Sequence, residues 1–151
     1  DTHRLEPGGP LRIGGVNVDF DFHLVGHSDA DVLLHAITDA LLGAAGMVDI
    51  RTLLPDSDTQ CAGADSVVLL TSAHEKIKTM GWRVSNIDCT VIAQAPKLGP
   101  LKTVMQKSIA NALTIDASCV NVKGKTAEKL GPVGMGHAIE ARAVAMIHRA
   151  R

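Results

Sequence analysis

His35 stands in the run His27-Ser28-Asp29-Ala30-Asp31-Val32-Leu33-Leu34-His35-Ala36-Ile37-Thr38-Asp39-Ala40-Leu41-Leu42-Gly43, with a carboxylate one helical turn away on either side. In a helix, Asp31, His35, Thr38 and Asp39 fall at i, i+4, i+7 and i+8 and share one face. That arrangement suits a metal ligand whose second ring nitrogen is held by a carboxylate. It equally suits a solvated helix face that happens to carry a histidine. Asp1-Thr2-His3 offers two further ligand types. Residues i and i+2 of an extended segment point the same way, so Asp1 and His3 could face one cation together. With His35 they make a two-histidine, one-carboxylate set, which suits zinc with a fourth position open to a substrate oxygen. The competing reading of Asp-x-His at this place is a frayed end.

The elements that must position these residues are legible from periodicity. Val32, Leu33, Ala36, Ile37, Ala40 and Leu41 recur at helical spacing, with Ser28 or Asp29 as N-cap, Asp31 in the first turn and Gly43 at the exit. Leu11–Ile13, Gly14-Gly15 and Val16–Phe20 read as a short hairpin. Ala64–Met80 reads as a second amphipathic helix stopped by Gly81, and Leu101–Leu113 as a third. Val84–Ala95 and Cys119–Lys123 are rich in β-branched residues and read as strands. Ile139–Ile147 fits either a strand or a helix. Two polar loops follow strand ends: Ala93–Pro100, with two prolines, and Gly124–Lys129, where a hydroxyl, a carboxylate and lysines gather. Each could also be an ordinary connection.

The bulk numbers exclude several classes. The chain has 151 residues, enough for one domain with its own core. Two Phe, one Trp and no Tyr leave little surface for stacking bases. A formal charge of −1 argues against binding long polyanions or anionic membranes, so no nucleic acid and no membrane is expected. No apolar run approaches the roughly 20 residues of a membrane span. Three scattered cysteines, Cys61, Cys89 and Cys119, fit a reducing compartment rather than a disulfide framework or thiolate metal site.

The blocks His27-Ser28-Asp29-x-Asp31-x-x-x-His35-Ala36-x-Thr38-Asp39-Ala40-Leu41-Leu42-Gly43, Asp49-Ile50, Leu54-Pro55-Asp56-x-Asp58, Gly63-Ala64-Asp65-Ser66, Ile92–Lys97, Val120–Lys123 and Glu128–Gly131 occur in one order across nearly the whole chain. Together they resemble the 2-C-methyl-D-erythritol 2,4-cyclodiphosphate synthase family. The resemblance implies conversion of 4-diphosphocytidyl-2-C-methyl-D-erythritol 2-phosphate to the cyclic diphosphate, with release of CMP, in the non-mevalonate isoprenoid pathway. It implies zinc on Asp1, His3 and His35, one ion per subunit, and magnesium or manganese on Glu128 with the substrate. It assigns His27 and Ser28 to the 2-phosphate, Asp49 and Ile50 to the methylerythritol pocket, and Asp56 and Asp58 to its edge. Thr126 goes to the nucleotide phosphates, with Lys125 as a further donor, and Ala93, Ala95, Pro96, Lys97 and Leu98 wrap the cytosine. Ile139–Ile147 becomes a closing strand.

The fold expected is therefore α+β: a single domain over 1–151 with a four-stranded mixed sheet covered on one face by helices, plus a short hairpin, assembled as a homotrimer with active sites between subunits. The family also implies a few residues before Asp1 and, most simply, a bacterial cytoplasm; a plastid stroma is the lesser expectation. Lys125, Ala127, Pro132, Met135 and Arg51 depart from residues common in the family. Pro132 and Met135 bear on a channel along the threefold axis, and Arg51 on the width of the pocket. Two other functions fit the same residues: a zinc-dependent phosphohydrolase, and a cytidine-nucleotide-binding trimer without catalysis.

Overall fold

The computed structural model describes residues 1–26, 28–47 and 65–151. Its sheet has five strands rather than the four expected. These are β1 (Thr2–Pro7), β4 (Phe22–Val25), β5 (Trp82–Ile92), β6 (Val120–Lys125) and β7 (Ala138–Arg149), in the order β4-β1-β7-β5-β6. The additional strand is β4, which pairs antiparallel with β1 from Arg4↔Val25 to Pro7↔Phe22. Its four residues are too few for an alternating pattern to stand out, so the segment reads as a mere lead-in to the helix. β5 and β6 pair in parallel and every other neighbour pair is antiparallel, so the sheet is mixed as expected.

Residues 2, 4 and 6 of β1 are exposed while His3 and Leu5 turn inward. On β7, Ile139 and Ala141 are buried, whereas Val144 and Met146 are 72% and 62% exposed. That alternation marks one covered and one open face. The cover is α1 (Val32–Ala44), α2 (Ser66–Thr79) and α3 (Lys102–Leu113). Leu33, Ile37 and Leu41 of α1, Leu70 and Ile77 of α2, and Met105 and Ile109 of α3 join Ile87 and Val91 of β5 in one apolar cluster.

The separate hairpin, β2 (Leu11–Ile13) with β3 (Val16–Val18), turns on Gly14 and Gly15 at φ +63° and +74°. This two-residue turn needs left-handed backbone at both positions, as the Gly-Gly pair foretold. The N-cap of α1 is Asp31, not Ser28 or Asp29: its carboxylate accepts from Leu34 N–H at 3.0 Å. The helix also runs past Gly43 and ends where Gly46 takes φ +78°. A glycine one place inside a helix end costs little, and the left-handed exit is what requires one.

Candidate functional site

Asp1 is not frayed. Its backbone nitrogen donates to Ala141 O at 2.8 Å and its carbonyl accepts from Ala141 N–H at 2.9 Å. Those bonds continue the β1–β7 ladder and fix the direction of the Asp1 and His3 side chains. The inward-facing His3 meets His35, which α1 projects from its second turn. Asp1 Oδ2 lies 2.8 Å from His3 Nε2 and 3.3 Å from His35 Nδ1, and the two ring nitrogens are 3.4 Å apart. Among the described residues, this is the group of three ligand-type side chains able to hold one metal ion.

The triangle has the right size for such an ion. Donor atoms around tetrahedral zinc, at bond lengths of about 2.0–2.1 Å, lie roughly 3.3 Å apart. The ring hydrogens also fall in the right places. His3 Nδ1 is 3.1 Å from the Val25 carbonyl, which can only accept, so Nδ1 carries the hydrogen and Nε2 keeps its lone pair for the shared centre. Burial lowers the pKa of His3, and burial together with the neighbouring His3 lowers that of His35. Neutral imidazole is the form a metal takes.

The second nitrogen of His35 does not meet a carboxylate one turn away. Asp31 is drawn off by its capping role: fully buried, it accepts from Gly14 N–H at 2.9 Å, Gly15 N–H at 2.8 Å and Leu34 N–H. Burial pushes its pKa up against those three donors. Asp31 thus fastens the hairpin turn to the start of α1. Thr38, also fully buried, donates to Leu34 O at 2.7 Å. His35 Nε2 lies instead 2.9 Å from Ser66 Oγ and 3.2 Å from Ser28 Oγ. Ser28 is placed for this by a left-handed backbone, φ +57°. Spacing within one helix could not reveal Ser66, which arrives from the N-terminus of α2. The available signal was the Asp65-Ser66 pair, a helix-capping dipeptide with one hydroxyl to spare.

The second group of expected site residues gathers where β5 and β6 end. Ala93, Pro96, Lys97, Leu98, Lys125 and Thr126 all line one cavity of about 330 Å³, joined by Gln94, Gly124 and Lys102. Ala95 is exposed beside it and is not in its lining. Ala93 N–H donates to Lys125 O at 2.9 Å, and Lys129 N–H to Gln94 Oε1 at 3.2 Å, so the two loops are tied edge to edge. Gly124 lines the wall beside Leu98; an added Cβ there would stand 3.4 Å from Leu98 Cβ, an ordinary contact. Glu128 lies outside the lining, exposed, at φ +54°; its N–H is 3.3 Å from Thr126 Oγ1. Gln94 was not anticipated, since a lone glutamine in a loop carries no pattern.

Both groups sit at one end of the sheet. Thr2, Glu140, Ile92 and Lys125 are in register across β1, β7, β5 and β6. At about 4.8 Å per strand, β1 and β6 are some 14 Å apart along that row. His27, Asp49, Ile50, Asp56 and Asp58, and also Arg51, lie outside the described residues. Pro132 opens a short helix, α4 (Gly131–Gly134), and Met135 beyond it is 65% exposed.

The mixed sheet thus carries the Asp1, His3 and His35 triangle on one side and a loop-walled cavity on the other. Residues 1–148 match the YgbB family, and the chain belongs to it. It is 53% identical over 150 residues to the 2-C-methyl-D-erythritol 2,4-cyclodiphosphate synthase of Azoarcus sp. strain BH72, covering 99% of this chain and 93% of that protein. It is 54% identical over 149 residues, 99% of this chain, to the bifunctional enzyme IspD/IspF of Albidiferax ferrireducens, of which it spans 36%. Among solved structures, the bifunctional IspDF from Campylobacter jejuni superposes with a TM-score of 0.94 at 40% identity, over 99% of this chain and 40% of that one. The IspF of Plasmodium falciparum, described as a CDP complex, does so with a TM-score of 0.87 at 35% identity, over 100% of this chain and 93% of that one.

Proposed function

We propose that this chain is a cyclodiphosphate synthase acting in isoprenoid-precursor synthesis. It converts 4-diphosphocytidyl-2-C-methyl-D-erythritol 2-phosphate to 2-C-methyl-D-erythritol 2,4-cyclodiphosphate and CMP. The observation that carries the reading is the Asp1–His3–His35 triangle at the same sheet end as the cavity of Ala93–Leu98, Lys125 and Thr126. One feature suits a metal-drawn phosphate and the other a nucleotide head, and the substrate has both. Relatives named as this synthase, and a relative solved with CDP, support it.

The nucleophile is the substrate's own 2-phosphate. One of its oxygens forms a bond to the β-phosphorus, the bond from that phosphorus to the bridging oxygen breaks, and the electron pair leaves with CMP. The protein need only fold an anionic chain back on itself and neutralise charge, so positioning and electrostatics dominate. Asp1, His3 and His35 would hold zinc, which would supply positive charge to offset that of the phosphates. Glu128 would hold magnesium or manganese, which would supply charge at the departing CMP. Ser28, with His27, orients the 2-phosphate from the lip of α1. Asp49 accepts from the methylerythritol hydroxyls against Ile50, with Asp56 and Asp58 at the pocket edge. Thr126 and Lys125 donate to the nucleotide phosphates. Backbone groups of the Ala93–Leu98 loop, Ala95 included, match the cytosine edge, which calls for no aromatic ring.

The assembly we propose is a homotrimer in which the metal triangle of one subunit faces the nucleotide cavity of the next. Exposed apolar residues support it: Val144 and Met146 on the open sheet face, and Leu130 at 73% and Met135 at 65% around the Glu128 loop. Unpaired patches of this kind mark contact surfaces. The bacterial relatives support a bacterial cytoplasm as the setting. Among the described residues no helix is long and apolar enough to cross a membrane.

Phosphorus NMR of the protein with substrate, zinc and magnesium tests the reading. Cyclic diphosphate and CMP should appear in equal amounts. An open-chain phosphate beside CMP would replace the synthase with a phosphohydrolase, and an unchanged spectrum would leave a binding protein.

A further inference from the structure

We infer that Ser66 and Asp29 are positioning residues for the metal site: they set the ring hydrogen of His35 and so aim its Nδ1 lone pair at the ion. This rests on the metal reading of Asp1, His3 and His35 given above.

Ser66 is fully buried at the first position of α2, beneath the Asp65 cap. Its hydroxyl contacts Asp29 Oδ1 closely, and its backbone N–H donates to Asp29 Oδ2 at 3.1 Å. Burial alone would raise the pKa of Asp29, but the hydrogen bonds from Ser66 and from Asp31 N–H, with Arg12 nearby, hold it below the usual carboxylate range. Asp29 is therefore an anion, and an anion can only accept. The Ser66 hydrogen goes to it. What Ser66 turns toward His35, 2.9 Å away, is a lone pair. His35 Nε2 must then carry the hydrogen, and Nδ1, facing Asp1 and His3, is left bare for the metal.

The chain of command runs from carboxylate to hydroxyl to imidazole. It performs the service that a carboxylate touching the ring does in many zinc sites, with one hydroxyl interposed. Among the described residues, the Ser66 hydroxyl has one further neighbour, the Ser28 hydroxyl at 3.2 Å.

The test is zinc affinity, read by competition with a chromophoric chelator on the full chain. Ser66→Ala should lose roughly ten- to a hundredfold in affinity. Ser66→Thr, which restores the hydroxyl, should stay within about threefold of the parent. Thr38→Val removes an equally buried hydroxyl from α1 that does not touch His35, and should leave affinity unchanged. Ser66→Ala binding as tightly as the parent, or Thr38→Val losing as much as Ser66→Ala, overturns the inference and leaves the metal site standing. A parent chain that holds no zinc overturns both. Should Ser66→Ala fail to fold, the imidazole ¹⁵N pattern of the zinc-loaded parent decides. Metal at Nδ1 with a slowly exchanging Nε2–H is expected; metal at Nε2, or a fast-exchanging Nε2–H, refutes it.

Discussion

The two halves of the site are built by opposite means. Around His35, side chains do the work and regular elements hold them. A ladder-paired strand end supplies Asp1 and His3, a helix supplies His35, and a second helix start supplies Ser66. The two imidazoles are largely buried, and every ring nitrogen of His3 and His35 has a partner. Around the cavity at the ends of β5 and β6, backbone does the work: loop peptides bonded to one another, a glycine wall at Gly124 and the exposed, left-handed Glu128 and Lys129. A metal triangle tolerates errors of a few tenths of an ångström and must be rigid before the ion arrives. A nucleotide is large and polar along its edges, and peptide groups on loops can meet it one by one. The difference teaches that damage to the first half should be all or none, and damage to the second graded.

The largest effect expected is at His35. His35→Ala takes the ligand set from three to two, so zinc retention after dialysis and turnover should both vanish. A variant that keeps a full equivalent of zinc, counted by atomic absorption, would break the comparison at its root.

Asp31→Ala should come next, and as a loss of stability rather than of ligand. The substitution strands three N–H groups, those of Gly14 and Leu34 buried and that of Gly15 partly so, on one side of the molecule. Unpaired buried donors of this kind, with a lost N-cap, cost about 3 kcal/mol in all. Denaturant unfolding measures it. A loss below about 1 kcal/mol would mean water replaces the carboxylate, and that the hairpin is not what steadies the start of α1.

How much of this could be read from the chain follows the same division. His35, Asp1 and His3 were legible because strand and helix periods place residue types on known faces. So were the glycine turn at Gly14-Gly15 and the β-branched strands β5 and β6, whereas Ile139–Ile147 fitted strand or helix and the resemblance chose strand. The fifth strand was not, because Phe22–Val25 is too short to alternate. The role of Asp31 was misread, because a carboxylate one turn from a histidine and a carboxylate capping a helix have the same spacing. Only the hairpin, distant in sequence, decides between them. Ser66 was invisible for a related reason: its partner is 31 residues away on another helix. The cavity loops were legible as polar loops after strand ends, but their binding role came from resemblance alone, since backbone recognition leaves almost no mark on residue types.

On the loop side, Gly134→Ala sharpens the contrast. A Cβ at Gly134 would collide with the Lys129 carbonyl carbon, an impossible approach against backbone. Lys129 must move, and Glu128 with it. The expected outcome is a several-fold rise in the magnesium concentration needed for half-maximal turnover, with zinc content unchanged. Glu128→Gln should shift the same titration further. A magnesium titration that ignores both changes removes the Glu128 loop from metal binding; zinc lost alongside it would show the two halves coupled within one chain.

The smallest effect probes the strand between the two regions. Cys89 on β5 is buried, its Sγ 3.2 Å from Asn121 O on β6, and burial pushes its pKa up to about 12. The thiolate is the reactive form, so at pH 8 Cys89 stays almost wholly protonated even before access is counted. Alkylation at pH 8, mapped by mass spectrometry, should leave Cys89 unmodified in the folded protein and modify it fully in denaturant. The comparison demands this, because β5 carries the cavity at its end and abuts β7, which anchors Asp1. If Cys89 reacts in the folded state, the β5–β6 pairing opens in solution. The rigidity assigned to the metal half would then stop at β7, and the graded behaviour of the cavity would begin within the sheet rather than in its loops.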